Sequence, residues 1–243
     1  MRDYAAEIEK RVAFIREVLA SANASGIVYG NSGGKDSTLV GILCKKACDN
    51  TVGLIMPCGS KRNYEIYKAD AEAVARQFNI EQRYVDLTKV RSELLNSMEG
   101  ATAITDMALA NIAPRLRMTA LYTVAASENR LVAGTGNRSE NYMGYFTKWG
   151  DSACDFNPIA DLTVTEIYEF LRYLNVPESI LTKAPSAGLF EGQTDEGEMG
   201  ISYKAIDDYL LYGKAGSEEK TIIERYHNAS RHKRRMPVMY EGC

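Results

Sequence analysis

A short segment rich in glycine and hydroxyl residues carries the clearest chemical signal in the sequence. Adjacent glycines adopt backbone angles that are closed to other residues, so their N–H groups can point into one concavity. A helix that begins there adds unpaired first-turn N–H groups and the positive end of its dipole. We therefore predict that this segment binds the phosphates of a nucleotide. It comprises eight consecutive residues, Gly30, Asn31, Ser32, Gly33, Gly34, Lys35, Asp36 and Ser37.

One acidic residue distinguishes this phosphate loop from a Walker A loop. A Walker A loop has Ser or Thr after its lysine, whereas here Asp36 follows Lys35. A carboxylate beside bound phosphates repels them unless a cation lies between the two. Because Mg²⁺ takes carboxylate and phosphate oxygens together, we predict that Asp36 binds Mg²⁺. The simpler alternative is a glycine-rich turn in which Asp36 only caps the helix.

Strand and helix patterns alternate on both sides of this loop. Apolar runs predict strands at 26–30, 51–56, 82–87 and 131–135. Helical spacing of apolar residues predicts helices at 5–19, 36–43, 63–78, 104–127, 163–174 and 203–211. This alternation predicts an α/β fold, a doubly wound parallel sheet flanked by helices. The segments 136–158 and 183–200 show no periodicity and are predicted to be loops.

The composition excludes several classes of protein. The net charge of −3 does not suit a nucleic-acid-binding domain. Neither a membrane-spanning run nor the apolar stretch of a signal peptide is present, so we expect a cytoplasmic protein. The five cysteines are odd in number and irregularly spaced, and we expect them to be free thiols rather than a zinc site.

Residues 32–37 resemble the SGGxDS loop of the N-type ATP pyrophosphatases, whose fold is adenine nucleotide alpha hydrolase-like. Later segments resemble motifs of one family within that superfamily, the NAD synthetases. These segments follow one another in the family's order and are residues 111–118 (N-x-x-x-R-x-R-M), 134–140 (G-T-x-N-x-S-E), 144–151 (G-Y-F-T-K-x-G-D), 185–187 (P-[ST]-A), 193–196 (Q-x-D-E) and 232–234 (H-K-R).

The resemblance implies a reaction and its cofactors. ATP would activate the carboxylate of deamido-NAD as an adenylate, with release of pyrophosphate, and ammonia would then displace AMP to give NAD. Mg²⁺ would be required, and the enzyme would act as a homodimer. Glutamine-dependent members carry a long N-terminal amidase domain. Because the phosphate loop begins at Gly30, we expect residues 1–243 to form a single NAD synthetase domain without it.

The resemblance also implies site residues. None would act as a protein nucleophile. Asp36 and Glu140 match the magnesium ligands of the family, and Thr135 and Ser186 join residues 30–37 as ATP-contacting positions. The positions that match the deamido-NAD site are Arg115, Lys148, Asp155, His232 and Lys233. Without the resemblance, Arg115 is more typical of a solvated helix charge, and His232 with Lys233 is more typical of a frayed basic tail.

One position departs from the family pattern. A lysine that reaches ATP phosphate usually follows the turn at 161–163, and here Val164 takes its place. Either Lys183 supplies the missing cation or ATP binds more weakly. We also expect the acidic, glycine-flanked segment 189–199 to be mobile and to order over bound substrate.

Three alternative functions remain open from the sequence. A tRNA-modifying or sulfur-transferring enzyme of the same superfamily would share the phosphate loop, although the net charge argues against RNA. A nucleotide-sensing module would need neither a metal carboxylate nor a second anionic pocket. A purely structural α/β domain would not concentrate Asn, Asp, Lys and Gly between residues 134 and 155.

Overall fold

Four parallel strands form the central sheet of the protein, which we describe from a computed structural model. The structure describes residues 2–59, 61–182 and 194–240, and the side chains of 61–67 lie outside that description. The strands are β1 (Gly26–Gly30), β2 (Thr51–Ile55), β3 (Glu81–Tyr84) and β4 (Arg130–Ala133). They lie in the order β3-β2-β1-β4, and every pairing is parallel.

The strand order reverses at β1. From β1 the chain adds β2 and then β3 on one side, and it later returns to place β4 on the other side. Ile27 pairs with Thr51 of β2 and with Leu131 of β4. In open parallel sheets the crevice at such a reversal, outside the carboxyl ends of the strands, is where ligands bind. The loops that follow β1 and β4 meet there.

Helices cover both faces of the sheet, and a further group of helices follows β4. In chain order the helices are α1 (Tyr4–Ser21), α2 (Lys35–Ala47), α3 (Lys61–Phe78), α4 (Thr88–Ser97), α5 (Asp106–Ala110), α6 (Ile112–Glu128), α7 (Arg138–Met143), α8 (Val164–Tyr173), α9 (Glu178–Leu181), α10 (Asp195–Met199), α11 (Tyr203–Tyr212), α12 (Ser217–Ala229) and a 3₁₀ helix (Arg231–Arg234).

The side chains of β1 alternate between two apolar cores. Ile27 and Tyr29 point to the face that α1, α2 and α8 cover. Val28 points to the opposite face, where it packs with Val132 of β4 and with α6. All three side chains are at most 1% exposed. Because both faces of the strand are buried, β1 reads as a continuous apolar run rather than an alternating one.

A third apolar cluster supports the helices beside the carboxyl end of β4. It joins α7, α8, α10, α11 and α12 and includes Met143, Val164 and Tyr203. This cluster fixes the position of α7, whose first turn faces the phosphate loop.

The prediction of one helix over 104–127 is wrong, because the structure has two. α5 ends at Ala110 and α6 begins at Ile112, with Asn111 between them. Pro114 explains the break. Proline cannot donate a backbone hydrogen bond, and its ring clashes with the carbonyl four residues earlier, which here belongs to Ala110.

The predicted boundaries and loops also need correction. β3 ends at Tyr84 rather than at residue 87. The segment 136–158 contains α7, and α10 lies in the described part of 183–200. The helices α4, α9 and α12 were not predicted from the sequence. The remaining predicted strands and helices are present, with ends that shift by a few residues.

Two exclusions drawn from the composition can be compared with the structure. Among the described residues, no helix combines the length and the apolar character needed to cross a membrane. Cys44, Cys48, Cys58 and Cys154 are free thiols, whereas Cys243 lies outside the described residues.

Candidate functional site

The phosphate loop connects β1 to α2 at the point where the strand order reverses. Gly33 has a φ of 72°, which favours glycine. The hydroxyl of Ser32 accepts from the Gly34 amide at 3.3 Å and lies 3.1 Å from the Ser37 hydroxyl. The first-turn amides of α2 have no intrahelical partner. The loop therefore presents amide and hydroxyl donors together, as the binding of phosphates requires.

A pair of side-chain amides fixes the start of this loop. The Asn31 side chain is 4% exposed and donates to Gln82 Oε1 of β3 at 2.9 Å. Its own Oδ1 accepts from the Gly33 amide at 3.2 Å. Sequence reasoning did not assign Gln82 a role, because its contact with Asn31 depends on the spatial order of the strands.

Asp36 and Glu140 come together through Asn137, which is fully buried. The Asn137 side chain donates to Asp36 Oδ1 at 3.1 Å, and its backbone amide donates to Glu140 Oε2 at 3.3 Å. The Asn137 Oδ1 in turn accepts from the Glu140 amide at 2.9 Å, which completes a capping box on α7. An Asn followed three residues later by Glu is a sequence signal for this box, so Asn137 was identifiable in advance.

A lysine lies between these two acids. Lys35 Nζ is 2.7 Å from Asp36 Oδ2 and 3.9 Å from Glu140 Oε1. Burial alone would lower the pKa of Lys35, but the charges of Asp36 and Glu140 outweigh it and raise the pKa. For Glu140, burial and the nearby charge of Asp36 outweigh the charge of Lys35 and raise the pKa to about 8.

Two further side chains enclose this centre. Lys35 Nζ lies 5.6 Å from the centre of the Tyr203 ring, and the Tyr203 hydroxyl donates to Asp195 Oδ2 at 3.1 Å. Burial, followed by the charges of Glu140 and Asp195, raises the pKa of the Tyr203 hydroxyl, which stays protonated. The sequence motif contained Asp195 but gave it no role, and Tyr203 was predicted only as part of a helix.

The arrangement of carboxylates suits Mg²⁺ better than a metal held by protein alone. Within the described residues, no cluster of three or more His, Cys, Asp or Glu could hold a metal ion. Magnesium usually needs only one or two carboxylates, with phosphates and water as its other ligands. Asp36 Oδ2 and Glu140 Oε1 are hard oxygen donors that face one point beside the phosphate loop, so the donor set fits.

A basic group of residues lies at the surface formed by α6, the loop after α7 and the 3₁₀ helix. Arg115 donates to the Lys148 carbonyl at 3.3 Å, and Lys148 Nζ donates to the His232 carbonyl at 2.9 Å. Lys233 Nζ donates to the carbonyls of Gly144 and Phe146 at 2.9 and 2.8 Å. The structure thus brings together four of the five predicted deamido-NAD residues.

The fifth of these residues has different contacts. Asp155 Oδ2 accepts from the Val132 amide at 2.7 Å, and its Oδ1 accepts from the Tyr122 hydroxyl at 3.2 Å. Both oxygens are therefore engaged at the edge of β4 and α6.

Thr135 and Ser186 are the predicted ATP contacts outside the phosphate loop. Thr135 follows β4 and so lies at the reversal of strand order, next to β1. Ser186 lies outside the described residues, as do Lys183 and residues 189–193 of the segment predicted to be mobile. Val164 is 4% exposed and packs in the third apolar cluster with Tyr203, above whose ring the Lys35 ammonium lies. Val164 and the Lys35 ammonium thus share one neighbour, Tyr203.

A phosphate loop and an acidic pair at the reversal of a parallel α/β sheet define a nucleotide-binding protein of the PP-loop class. A family model described as NAD synthase matches residues 7–241, and the chain belongs to that family. The family resemblance and the fold class predicted from the sequence are confirmed.

Individual relatives agree on the family and differ in the product that they are named for. The NH3-dependent NAD+ synthetase of Carboxydothermus hydrogenoformans is 51% identical over 232 residues, which cover 94% of each chain. The structure of NMN synthetase from Francisella tularensis has a TM-score of 0.92 at 35% identity and 100% coverage of both chains. The NH3-dependent NAD synthetase of Campylobacter jejuni, whose structure holds a nitrate ion, has a TM-score of 0.80 at 33% identity, with 99% of this chain and 100% of that chain covered.

Proposed function

We propose that this protein converts deamido-NAD, ATP and ammonia into NAD, AMP and pyrophosphate through an adenylate intermediate. One observation carries the proposal. Asp36 of the phosphate loop and Glu140, which lie more than a hundred residues apart in sequence, come together at the reversal of the sheet. Membership of the NAD synthase family and relatives named NH3-dependent NAD+ synthetases support the same reaction.

The residues of this site would act by binding and orientation. In the first step the substrate carboxylate attacks the α-phosphorus of ATP, and pyrophosphate leaves. The unpaired first-turn amides of α2 and the hydroxyls of Ser32 and Ser37 would hold the departing phosphates. Attack by ammonia on the acyl carbon then expels AMP. No protein nucleophile is required, because the site only has to align two anionic substrates and stabilise developing charge.

We further propose that Asp36 and Glu140 hold Mg²⁺ through Asp36 Oδ2 and Glu140 Oε1. Bound there, Mg²⁺ would neutralise the charge that develops on pyrophosphate. The remaining oxygens of the two acids would stay on Asn137, which would keep the carboxylates in place.

The basic residues would hold the substrate that carries the carboxylate. Arg115, Lys148, His232 and Lys233 lie together, and the guanidinium and the two ammonium groups now bind backbone carbonyls. A dinucleotide substrate brings a pyrophosphate and a carboxylate, which are stronger partners for such cations. We also propose that Asp155 contributes to the deamido-NAD site. It accepts a hydrogen bond from Tyr122 of α6, the helix that carries Arg115.

A second candidate reaction is the amidation of nicotinate mononucleotide to NMN. The observation that favours it is the TM-score of 0.92 with an NMN synthetase over the full length of both chains. The chemistry at the carboxylate would be the same, and the substrate would lack the adenylate half. We place deamido-NAD first because the relative at 51% identity is named an NAD+ synthetase.

A product assay separates these reactions. Purified protein would receive Mg²⁺, ATP and either deamido-NAD or nicotinate mononucleotide, with ammonia or glutamine as the nitrogen source. We expect NAD to form from deamido-NAD and ammonia, with one AMP released per NAD. A higher kcat/KM with the mononucleotide would favour the second candidate. No amide product from either acid would refute both, and a requirement for tRNA would point to a tRNA-modifying enzyme.

The assembly and the compartment of the protein complete the proposal. We propose a cytoplasmic enzyme that acts as a homodimer, both by likeness to the family. Size-exclusion chromatography with light scattering should give about twice the mass of one chain. A monomer that retained full activity would contradict the dimer.

A further inference from the structure

The Lys35 ammonium occupies the point that the two acids of the site face. Its side chain is 7% exposed, so this is no solvated surface pair. We propose that Lys35 is an internal counter-cation, which occupies the cation position in the free enzyme and leaves it when Mg²⁺ and nucleotide arrive. This inference rests on the proposed function, because that function brings both ligands to the site.

The carboxylate oxygens divide between two partners in a way that identifies this position. Asp36 Oδ1 and Glu140 Oε2 accept from Asn137. The other oxygen of each acid, Asp36 Oδ2 and Glu140 Oε1, faces Lys35 Nζ at 2.7 and 3.9 Å. Because Asn137 holds one oxygen of each acid, the remaining two form a ready pair for a cation, and the lysine is the cation that this structure places there.

Charge explains why a free enzyme needs such a cation. Asp36 and Glu140 bring two carboxyl groups to a part-buried site, where their side chains are 18 and 19% exposed. Carboxylates that are removed from water and left without a cation repel one another strongly. With its ammonium beside both acids, Lys35 offsets their negative charge while the site is free of ligand.

The same position makes Lys35 a competitor of the metal. An ammonium and Mg²⁺ cannot both contact Asp36 Oδ2 and Glu140 Oε1 from the same point. Lys35 is the first residue of α2 and lies within the phosphate loop. Its flexible four-carbon stem lets the ammonium move to nucleotide phosphates without movement of the helix. Metal binding should therefore be weak in the free enzyme and stronger once nucleotide draws the ammonium away.

Binding of Mn²⁺, measured by its electron paramagnetic resonance signal, tests this competition without an activity assay. The proteins compared are the wild type, Lys35→Met and the control Lys45→Met, which removes a lysine from the distal end of α2, where it pairs with Asp49. Without nucleotide, we expect Lys35→Met to bind Mn²⁺ about tenfold more tightly than the other two, because a competing charge is gone. Equal or weaker binding by a folded Lys35→Met would overturn the proposal.

The wild type gives a second measurement, which does not depend on the folding of the variant. It should bind Mn²⁺ more tightly when a non-hydrolysable ATP analogue is present, and equal affinity with and without the analogue would overturn the proposal. If Lys35→Met folds only in the presence of Mn²⁺, the metal replaces the lost ammonium, and this result supports the proposal.

These results separate the inference from the proposed reaction. A wild type that makes no amide product, together with tighter Mn²⁺ binding by Lys35→Met, refutes the reaction and leaves the counter-cation in place. If the wild type forms the amide product and Lys35→Met shows no gain in Mn²⁺ affinity, the reaction stands and the counter-cation is refuted.

Discussion

At the scale of the residue, oxygen atoms that come from distant parts of the chain define the site. Asp36 lies in the first turn of α2 and Glu140 lies in the first turn of α7, and Asn137 links them. Each residue type in this group has a local reason to be there, since acidic residues favour the first turn of a helix. The functional consequence arises only because two helix N-termini face each other across the reversal of the sheet.

Replacing Asp36 by Ala should abolish magnesium-dependent activity and leave the fold intact. Loss of about 3 kcal/mol of stabilisation at the metal corresponds to a fall in kcat of about a hundredfold. Steady-state kinetics and circular dichroism would measure activity and fold. The matched control is Asp49→Ala, which removes an exposed acid near the distal end of α2. Retained activity in Asp36→Ala would refute its role as a ligand.

Replacing Val164 by Lys should lower the KM for ATP, since the substitution adds a cation where the family has one. Val164 is 4% exposed within an apolar cluster, so the longer side chain also costs about 1–3 kcal/mol of stability. Val164→Met is the control, because it adds comparable length without charge. An unchanged or higher KM in Val164→Lys alone would reject the idea.

The sequence predicts part of this site. The phosphate loop and Asp36 follow from local composition, because glycines and a helix start are adjacent in the chain. Glu140 follows from the family resemblance. Tyr203 and Gln82 could not be predicted, since a tyrosine on an apolar helix face and a polar residue in an edge strand carry no signal until neighbouring elements are known.

At the scale of the element, β3 supports the phosphate loop, from which it is distant along the chain. Gln82 on β3 holds Asn31, and Asn31 holds the Gly33 amide. The edge strand β3, two positions from β1 in the sheet, thus helps to fix the shape of the phosphate loop.

Replacing Gln82 by Leu should loosen the phosphate loop. The buried Asn31 amide would lose its partner at a cost of about 1–3 kcal/mol, and we expect the KM for ATP to rise severalfold while the KM for deamido-NAD changes less. Thermal unfolding and steady-state kinetics would measure the two effects. Gln77→Leu, at an exposed site on α3, is the control and should change neither. An unaltered KM for ATP in Gln82→Leu would mean that Asn31 positions the loop alone.

The strands and helices differ in how clearly their sequence patterns predict them. Strands β1, β2 and β4 were predictable because they are buried on both faces and bounded by polar turns. The edge strand β3 is half-exposed, with both its terminal residues at the surface, so its end was predicted too far along the chain. The break at Asn111 could have been predicted from Pro114. Helix α12 buries only Ile223 among its residues, so its apolar signal is weak.

At the scale of the whole molecule, a group of charges ties the N-terminal helix to the helices beside the site. Arg11 is 8% exposed and bonds Asp161 at 2.7 and 2.9 Å and Glu7 at 2.8 Å. Arg2 adds a bond to Glu166 of α8 at 2.7 Å. These contacts join α1 to the turn that leads into α8.

These charges predict a loss of stability in acid. For Asp161 and Glu7, burial tends to raise the pKa, but hydrogen bonds and charge from Arg11 outweigh it and lower both pKa values below 3.8 and 4.5. The folded state then binds fewer protons than the unfolded state, so this stabilisation is full above about pH 4.5 and is lost as pH falls through the lowered values.

Denaturant unfolding between pH 3 and pH 7 would measure this dependence. Arg11→Met should lower the free energy of unfolding at pH 7 and flatten its fall below pH 4.5. The control Arg16→Met removes an exposed arginine of the same helix, whose hydrogen bonds among the described residues go to backbone carbonyls, and it should keep the wild-type slope. An equal slope in Arg11→Met would assign the acid sensitivity to other carboxylates.

The transfer of oxygen from the substrate to AMP tests the central claim most directly. Deamido-NAD labelled with ¹⁸O in its nicotinate carboxylate would be incubated with the enzyme, ATP, Mg²⁺ and ammonia, and the AMP analysed by mass spectrometry. If the carboxylate attacks the α-phosphorus in a site built from the phosphate loop and the acidic pair, each AMP should carry one ¹⁸O. Formation of ADP with label in inorganic phosphate, or NAD formed with unlabelled AMP, would contradict the account.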